Sequence, residues 1–171
     1  MANVDNPRGF WPVKHLSGGE IRTHPYLVTT GATVYPGDLL KVVDAGTVEA
    51  AAADDGVIVI GVAAEYVNDA ASAGSKAVQV YDDPHIVFGV QADSGTAVAA
   101  TEVFETANHV ATTGSTTMYH SLQELDASDI ATGAQLKIIG KLDSPDNAWG
   151  EHVDLLVVIA EHMFNAAVAG V

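Results

Sequence analysis

The chain has 171 residues, with 22 acidic against 7 Lys plus Arg, a formal charge of −15, 48% hydrophobic residues and no cysteine. That length makes one ordinary domain with room for a real core. The missing cysteines exclude disulfides and thiolate metal sites, and the acidic balance argues against direct binding of nucleic acid, which clustered cations carry.

The longest uncharged apolar run, Val57 to Ala64, is far below the roughly 18 residues of a membrane-spanning helix. The opening Met-Ala-Asn-Val-Asp-Asn-Pro-Arg has no basic start followed by an apolar core, so a soluble chain without a signal peptide is expected.

Residues 1–25 read as an arm distinct from a single body at 26–171. Arg8, Lys14 and Arg22, three of the seven cations, fall there against only Asp5 and Glu20. Pro7, Gly9, Pro12, Gly18, Gly19 and Pro25 break any helix or central strand. Two readings stay open for this arm. It lies across its own body, closing one end with Phe10 and Trp11, or it reaches a neighbouring acidic subunit. In the second reading Arg8, Phe10, Trp11, Lys14 and Arg22 make the contact, since Trp and Arg are favoured at interface hot spots.

Tyr26 to Thr30 is rich in β-formers. Pro36-Gly37 is a turn signal, because proline presets one dihedral and glycine accepts the positive φ that follows. Leu39 to Val43 reads as a strand, Ala45-Gly46 as a turn, and Thr47 to Ala53 as the returning strand. Val57 to Val67 is a long strand in which Gly61 marks a bulge or bend. After a loop at 68–75, Lys76 to Tyr81 alternates, with Val78 and Val80 on one face. Asp82-Asp83-Pro84-His85 turns the chain into a strand at Ile86 to Gln91, and Asp93-Ser94-Gly95 turns it again.

Thr96 to Val110 keeps no clean period and reads as mixed, and Ala111 to Thr117 as loop. Ser121-Leu-Gln-Glu124 has the spacing of a helix capping box, predicting one or two helical turns to about Ile130 before Gly133 ends them. Leu136 to Leu142 is a strand and Ser144 to Asn147 a turn. Val153 to Phe164 is a closing strand, apolar on both faces from Leu155 to Ala160 and therefore expected at the centre of a sheet. The tail from Asn165 is small and expected to fray. Short strands at regular spacing predict an all-β fold, a small barrel or sandwich with at most one short helix.

The seven histidines raise the question of a metal. His85 follows two aspartates, Glu161-His162 lies near the end, and on a strand His152 and Asp154 would point the same way as a pair of ligands. A cupin-type site would need His-x-His, which is absent. There is no Gly-x-Ser-x-Gly elbow. The pairs Glu102/Glu105 and Asp126/Asp129 read as solvated surface. No catalytic, cofactor-binding or metal-binding residue is expected, and the chain does not read as an enzyme. The alternative from that class is a small β-barrel metalloenzyme using His152 and Asp154.

The opening Asn3-Val-Asp-Asn-Pro-Arg-Gly-Phe-Trp-Pro-Val-Lys14 resembles the start of a group of small tailed-bacteriophage head proteins. The likeness continues in Pro36-Gly37-Asp38-Leu39, Ile60-Gly61-Val62, Asp82-Asp83-Pro84, Val87-Phe88, Val90-Gln91, Leu125-Asp126, Ile138-Ile139-Gly140, Asp146-Asn147 and Glu161-His162. The resemblance implies a β-tulip-like fold and a capsid decoration or cement protein on the outer surface of the virion. Its partners would be the major capsid protein and its own copies, as a homotrimer. Other virion roles, in the neck, the tail or a receptor-binding barrel, stay open. No catalytic residues carry over.

Overall fold

The computed structural model describes residues 3–43, 46–54, 56–69 and 76–165. Most of the 68–75 loop, nearly all of the tail and half of the Ala45-Gly46 turn lie outside the described residues. The protein is all-β. Its strands are β1 Trp11–His15, β2 His24–Leu27, β3 Thr33–Val34, β4 Leu39–Val42, β5 Val48–Ala50, β6 Val59–Ala63 and β7 Val67–Asn68. They continue with β8 Ala77–Tyr81, β9 Ile86–Gln91, β10 Thr106–Ala107, β11 His109–Val110, β12 Glu124–Leu125, β13 Leu136–Lys141 and β14 Asp154–Ile159. The helical content among the described residues is two single 3-10 turns, Ala100–Glu102 and Ala127–Asp129.

Two five-stranded antiparallel sheets dominate, in the orders β1-β9-β14-β13-β10 and β2-β8-β6-β4-β5, with the small pairs β3-β7 and β11-β12 beside them. One core is shared by both sheets. Phe88, Leu136, Ile138, Leu155 and Val157 of the first meet Leu39, Val59 and Val62 of the second. Neither sheet closes into a ring among the described residues, so the arrangement is that of a sandwich rather than a barrel.

A second core lies on the other face of the second sheet, where Leu40, Ile60, Ala63, Val78 and Val80 pack with Val34 and Val67 of the β3-β7 pair. The expected long strand at 57–67 divides to make this possible, with β6 staying in the sheet and β7 crossing to pair with β3.

Gly61 carries the bend that its place inside a strand predicts. The register steps from Leu40↔Gly61 to Lys41↔Val59, leaving Ile60 as the extra residue of a bulge. The bulge shifts the alternation, so Val59 and Val62 feed the shared core while Ile60 and Ala63 feed the second. A Cβ at Gly61 would collide with the carbonyl oxygen of Tyr81.

β14 takes the central place its apolar run predicts, between β9 and β13. It is shorter than expected and alternates, with Leu155, Val157 and Ile159 buried and Leu156 and Val158 half-buried. The helix expected after Ser121 does not form, because tertiary hydrogen bonds take its polar groups. Ser121 N donates to Pro36 O at 3.0 Å, and the Gln123 side chain accepts from Leu39 N at 2.8 Å. The cap belongs instead to Asp126, whose Oδ1 accepts from Ser128 N at 2.9 Å and Ser128 Oγ at 2.6 Å.

The described part of the arm is built into the sandwich. β1 is an edge of the first sheet and β2 an edge of the second, paired with β9 and β8. Pro12 and Pro25 sit on these edges, where a missing N–H costs no ladder bond. Val13 is a bulge between Pro12 and Lys14, which roughens an edge that would otherwise be open to pairing.

Candidate functional site: the face around the N-terminal segment

The Pro36-Gly37 turn is the dock for residues 8–10. Gly37 has φ +93°, the value a type II turn needs after proline. Its carbonyl accepts from Phe10 N at 2.9 Å while its own N–H donates to Ala63 O at 2.9 Å. Gly9, at φ +70°, passes so close to Ser121 that a Cβ would strike that side chain. These contacts drive Phe10 into the shared core, 2% exposed. Phe10 is therefore a core residue of its own chain and not the surface anchor proposed for it from the sequence.

The other residues expected at an interface stand differently. Trp11 is half-buried, its indole lying over Gly89, where a side chain would displace it. The Arg8 guanidinium stacks 4.0 Å from the Trp11 ring and donates to Asp154 Oδ2 at 2.9 Å, leaving the side chain 40% exposed. Lys14 is exposed, with no ion pair among the described residues. Arg22 is exposed and, among the described residues, pairs only with its neighbour Glu20.

Arg8, Trp11, Pro36 and His120 line a shallow groove of about 250 Å³. Next in the chain to His120, Tyr119 meets Tyr66 edge to face with ring centres 5.0 Å apart, and Tyr66 lies tilted against Tyr35 at 5.3 Å. Tyr119, Met118 and Tyr66 are all exposed. Sequence reading missed this aromatic group because its members lie far apart in the chain.

Apart from His120 in the groove, the histidines form three environments. At the β8–β9 corner, His15 Nε2 lies 3.1 Å from Asp83 Oδ2, and His85 Nδ1 3.2 Å from Asp83 Oδ1. His24 Nδ1 lies 2.8 Å from Asp82 Oδ1, and Tyr26 donates to Asp82 Oδ2 at 2.6 Å. Because His15 Nδ1 accepts from the amides of Ser17 and Gly19, its Nε2 carries the proton given to Asp83. The amide of His85, more than the imidazoles, holds the Asp83 carboxyl below its usual range. Burial pushes the Tyr26 phenol up, and Asp82 adds to it. These pairs clasp β1 and β2 to the corner where the chain passes from β8 in one sheet to β9 in the other.

The second environment is buried. His109 binds Gln135 Oε1 at 2.8 Å and Ala51 O at 3.3 Å, and its pKa is lowered by burial. His162 is fully buried. Its Nδ1 accepts from Phe164 N at 3.1 Å, Nε2 has no partner among the described residues, and burial lowers its pKa to about 4 against the pull of Asp82 and Asp83.

The third environment departs from expectation. His152 is not on a strand but in a turn at φ +54°, and Asp154 faces Arg8, so the two do not form the predicted ligand pair. His152 meets Asp5 and Glu124 instead, with one ligand atom from each within 4.8 Å of the others. Burial first, then the charges of Asp5 and Asp93, raise the Glu124 carboxyl to about 7.

The other acidic pairs have structural work. Glu102 Oε2 accepts from Ala99 N at 2.6 Å, and Asp129 accepts from Asn108 N at 3.1 Å, so they cap turns rather than only facing solvent.

Comparison with known proteins gives no match: no protein-family model, no curated protein and no solved structure matches the chain.

Proposed function

We propose that this protein is a structural component of a tailed-phage head, a decoration or cement protein that binds the outside of the assembled shell and bridges capsomers. The observation that carries this reading is the exposure of the N-terminal segment's three cations on an acidic chain, one of them at the rim of a groove. Arg8, Lys14 and Arg22 stand exposed on a body whose chain carries a formal −15. Arg8 and Trp11 line a groove with His120, whose chain neighbour Tyr119 is exposed, as are Tyr66 and Met118.

Cations and large aromatics around a shallow depression suit a protein–protein contact. The acidic remainder suits an outer surface that repels packaged or released DNA. A ligand that binds only the assembled shell stabilises it by mass action. Many symmetric copies make modest single contacts sufficient. The partners are the major capsid protein and sister copies in a homotrimer, and the role is mechanical binding rather than catalysis.

The test is cosedimentation of purified protein with undecorated tailed-phage heads. Lys14→Glu with Arg22→Glu changes two exposed side chains whose only ion pair among the described residues is the local one to Glu20, so the fold should persist by circular dichroism. Occupancy is expected to fall at least tenfold. Undiminished occupancy overturns the assigned face. Wild-type protein that binds tails or necks but not heads overturns the head assignment in favour of another virion position.

A further inference from the structure

We propose that Asp5, Glu124 and His152 form a binding site for one divalent transition-metal ion of the zinc kind, which fastens the N-terminal segment to the body. Their ligand atoms lie within 4.8 Å of one another, and His152 Nδ1 stands 3.9 Å from Asp5 Oδ1. Ligands on one tetrahedral ion with bonds near 2.0–2.1 Å would be about 3.4 Å apart, and Asp5, with a side chain 64% exposed, is free to close that difference. One imidazole and two carboxylates make a donor set for zinc, with a fourth position left for water.

Two buried atoms point to a ligand. His152 Nδ1 and Glu124 Oε1 are shielded from solvent and have no hydrogen-bond partner among the described residues. A buried polar atom left unpaired costs roughly 1–3 kcal/mol, more when charged, and the charges facing Glu124 here are those of Asp5 and Asp93. The nearest cation of the N-terminal segment, Arg8, is engaged with Asp154 and Trp11. A metal ion would satisfy both orphaned atoms at once.

The site is also scaffolded. Gln91, 4% exposed, accepts from Asn6 N at 2.8 Å and donates to Val4 O and His152 O, each at 3.1 Å. One buried amide therefore fixes the backbone on both sides of Asp5 and at His152. Asn3 adds bonds to Ala148 O and Glu151 O at 2.8 Å and from Ala148 N at 3.0 Å.

The His15–Asp83–His85 group has comparable spacing, but its facing atoms already hydrogen-bond one another, so a metal there would displace satisfied contacts. That contrast selects the Asp5 site and supplies the control.

The experiment titrates zinc ion into the metal-stripped full chain, reading stoichiometry by calorimetry and protection of the Arg8–Gly9 bond from trypsin. One zinc per chain is expected, with cleavage after Arg8 slowed by the metal and restored by a chelator. Asp5→Asn, Glu124→Gln and His152→Asn should each weaken binding at least tenfold, whereas His85→Ala should leave it unchanged. Asparagine tolerates the positive φ of position 152, and Glu124→Gln keeps the shape of a half-buried side chain while removing its charge, so both variants should fold. No saturable uptake by the wild type, or uptake lost in His85→Ala and kept in His152→Asn, overturns the proposal.

Discussion

His162 predicts a specific acid sensitivity. It is fully buried, Nε2 has no partner among the described residues, and burial holds its pKa at about 4 where an exposed histidine sits near 6.5. In that window the unfolded chain binds a proton that the folded chain refuses. Stability is therefore whole above pH 6.5 and is lost as pH falls toward 4. The gap of about 2.5 pH units corresponds to roughly 3 kcal/mol.

Glu124 acts with the opposite sign. Its folded carboxyl titrates at about 7, above the ordinary 4.5, so the folded state keeps a proton the unfolded state lacks, and stability is lost as pH rises from 4.5 to 7. Partial exposure shrinks this second effect. The wild-type profile thus mixes two opposed slopes, and a variant is needed to separate them.

His162→Leu removes the titrating group at similar volume, losing only the acceptor for Phe164 N. Urea unfolding followed by tryptophan fluorescence at several pH values from 7.5 to 4.5 measures both proteins. The stability of wild type relative to the variant should decline by an amount approaching 3 kcal/mol across that range. A difference that stays constant with pH would refute the reasoning.

Further substitutions test other joints. Glu124→Gln should gain stability relative to wild type as pH rises from 5 to 8, read from urea midpoints; a gap that does not widen would mean the carboxyl is not held protonated. Gly9→Ala places a Cβ against Ser121 at φ +70° and should cost more than about 2 kcal/mol in a denaturant melt. Gly61→Ala meets the Tyr81 carbonyl and should cost at least as much, because the bulge sets which core each β6 side chain enters. Gln91→Leu strips the bonds to Val4, Asn6 and His152, so trypsin should cut after Arg8 faster in the variant while the body stays intact.

Local signals carried much of the fold. The alternation at Val78 and Val80, the turn at Pro36-Gly37, the bulge at Gly61 and the central apolar run of β14 are each written in neighbouring residues, and each formed. The misreadings involve distant partners. Ser121 and Glu124 have capping-box spacing, but Pro36 and Leu39 claim the polar groups of that segment. The division of 57–67 into β6 and β7 depends on β3, more than 20 residues earlier.

The candidate site was legible only as ingredients. The cations and aromatics of the N-terminal segment stood out in composition, yet burial of Phe10 and exposure of Lys14 follow from docking on Gly37 and from the edge position of β1. His152 was noticed beside Asp154, but a turn with positive φ aims its ring at Asp5 and Glu124, which lie 147 and 28 residues away in sequence. The Tyr35–Tyr66–Tyr119 group had no sequence signal, because no two of its members share an element.

A cryo-electron microscopy reconstruction of phage particles carrying this chain tests the central claim most directly. The account predicts symmetric copies on the outside of the head, with Arg8, Lys14 and Arg22 turned toward the shell or a sister copy. Density for the chain confined to tail or neck, or copies on the head with that face turned to solvent, would contradict it.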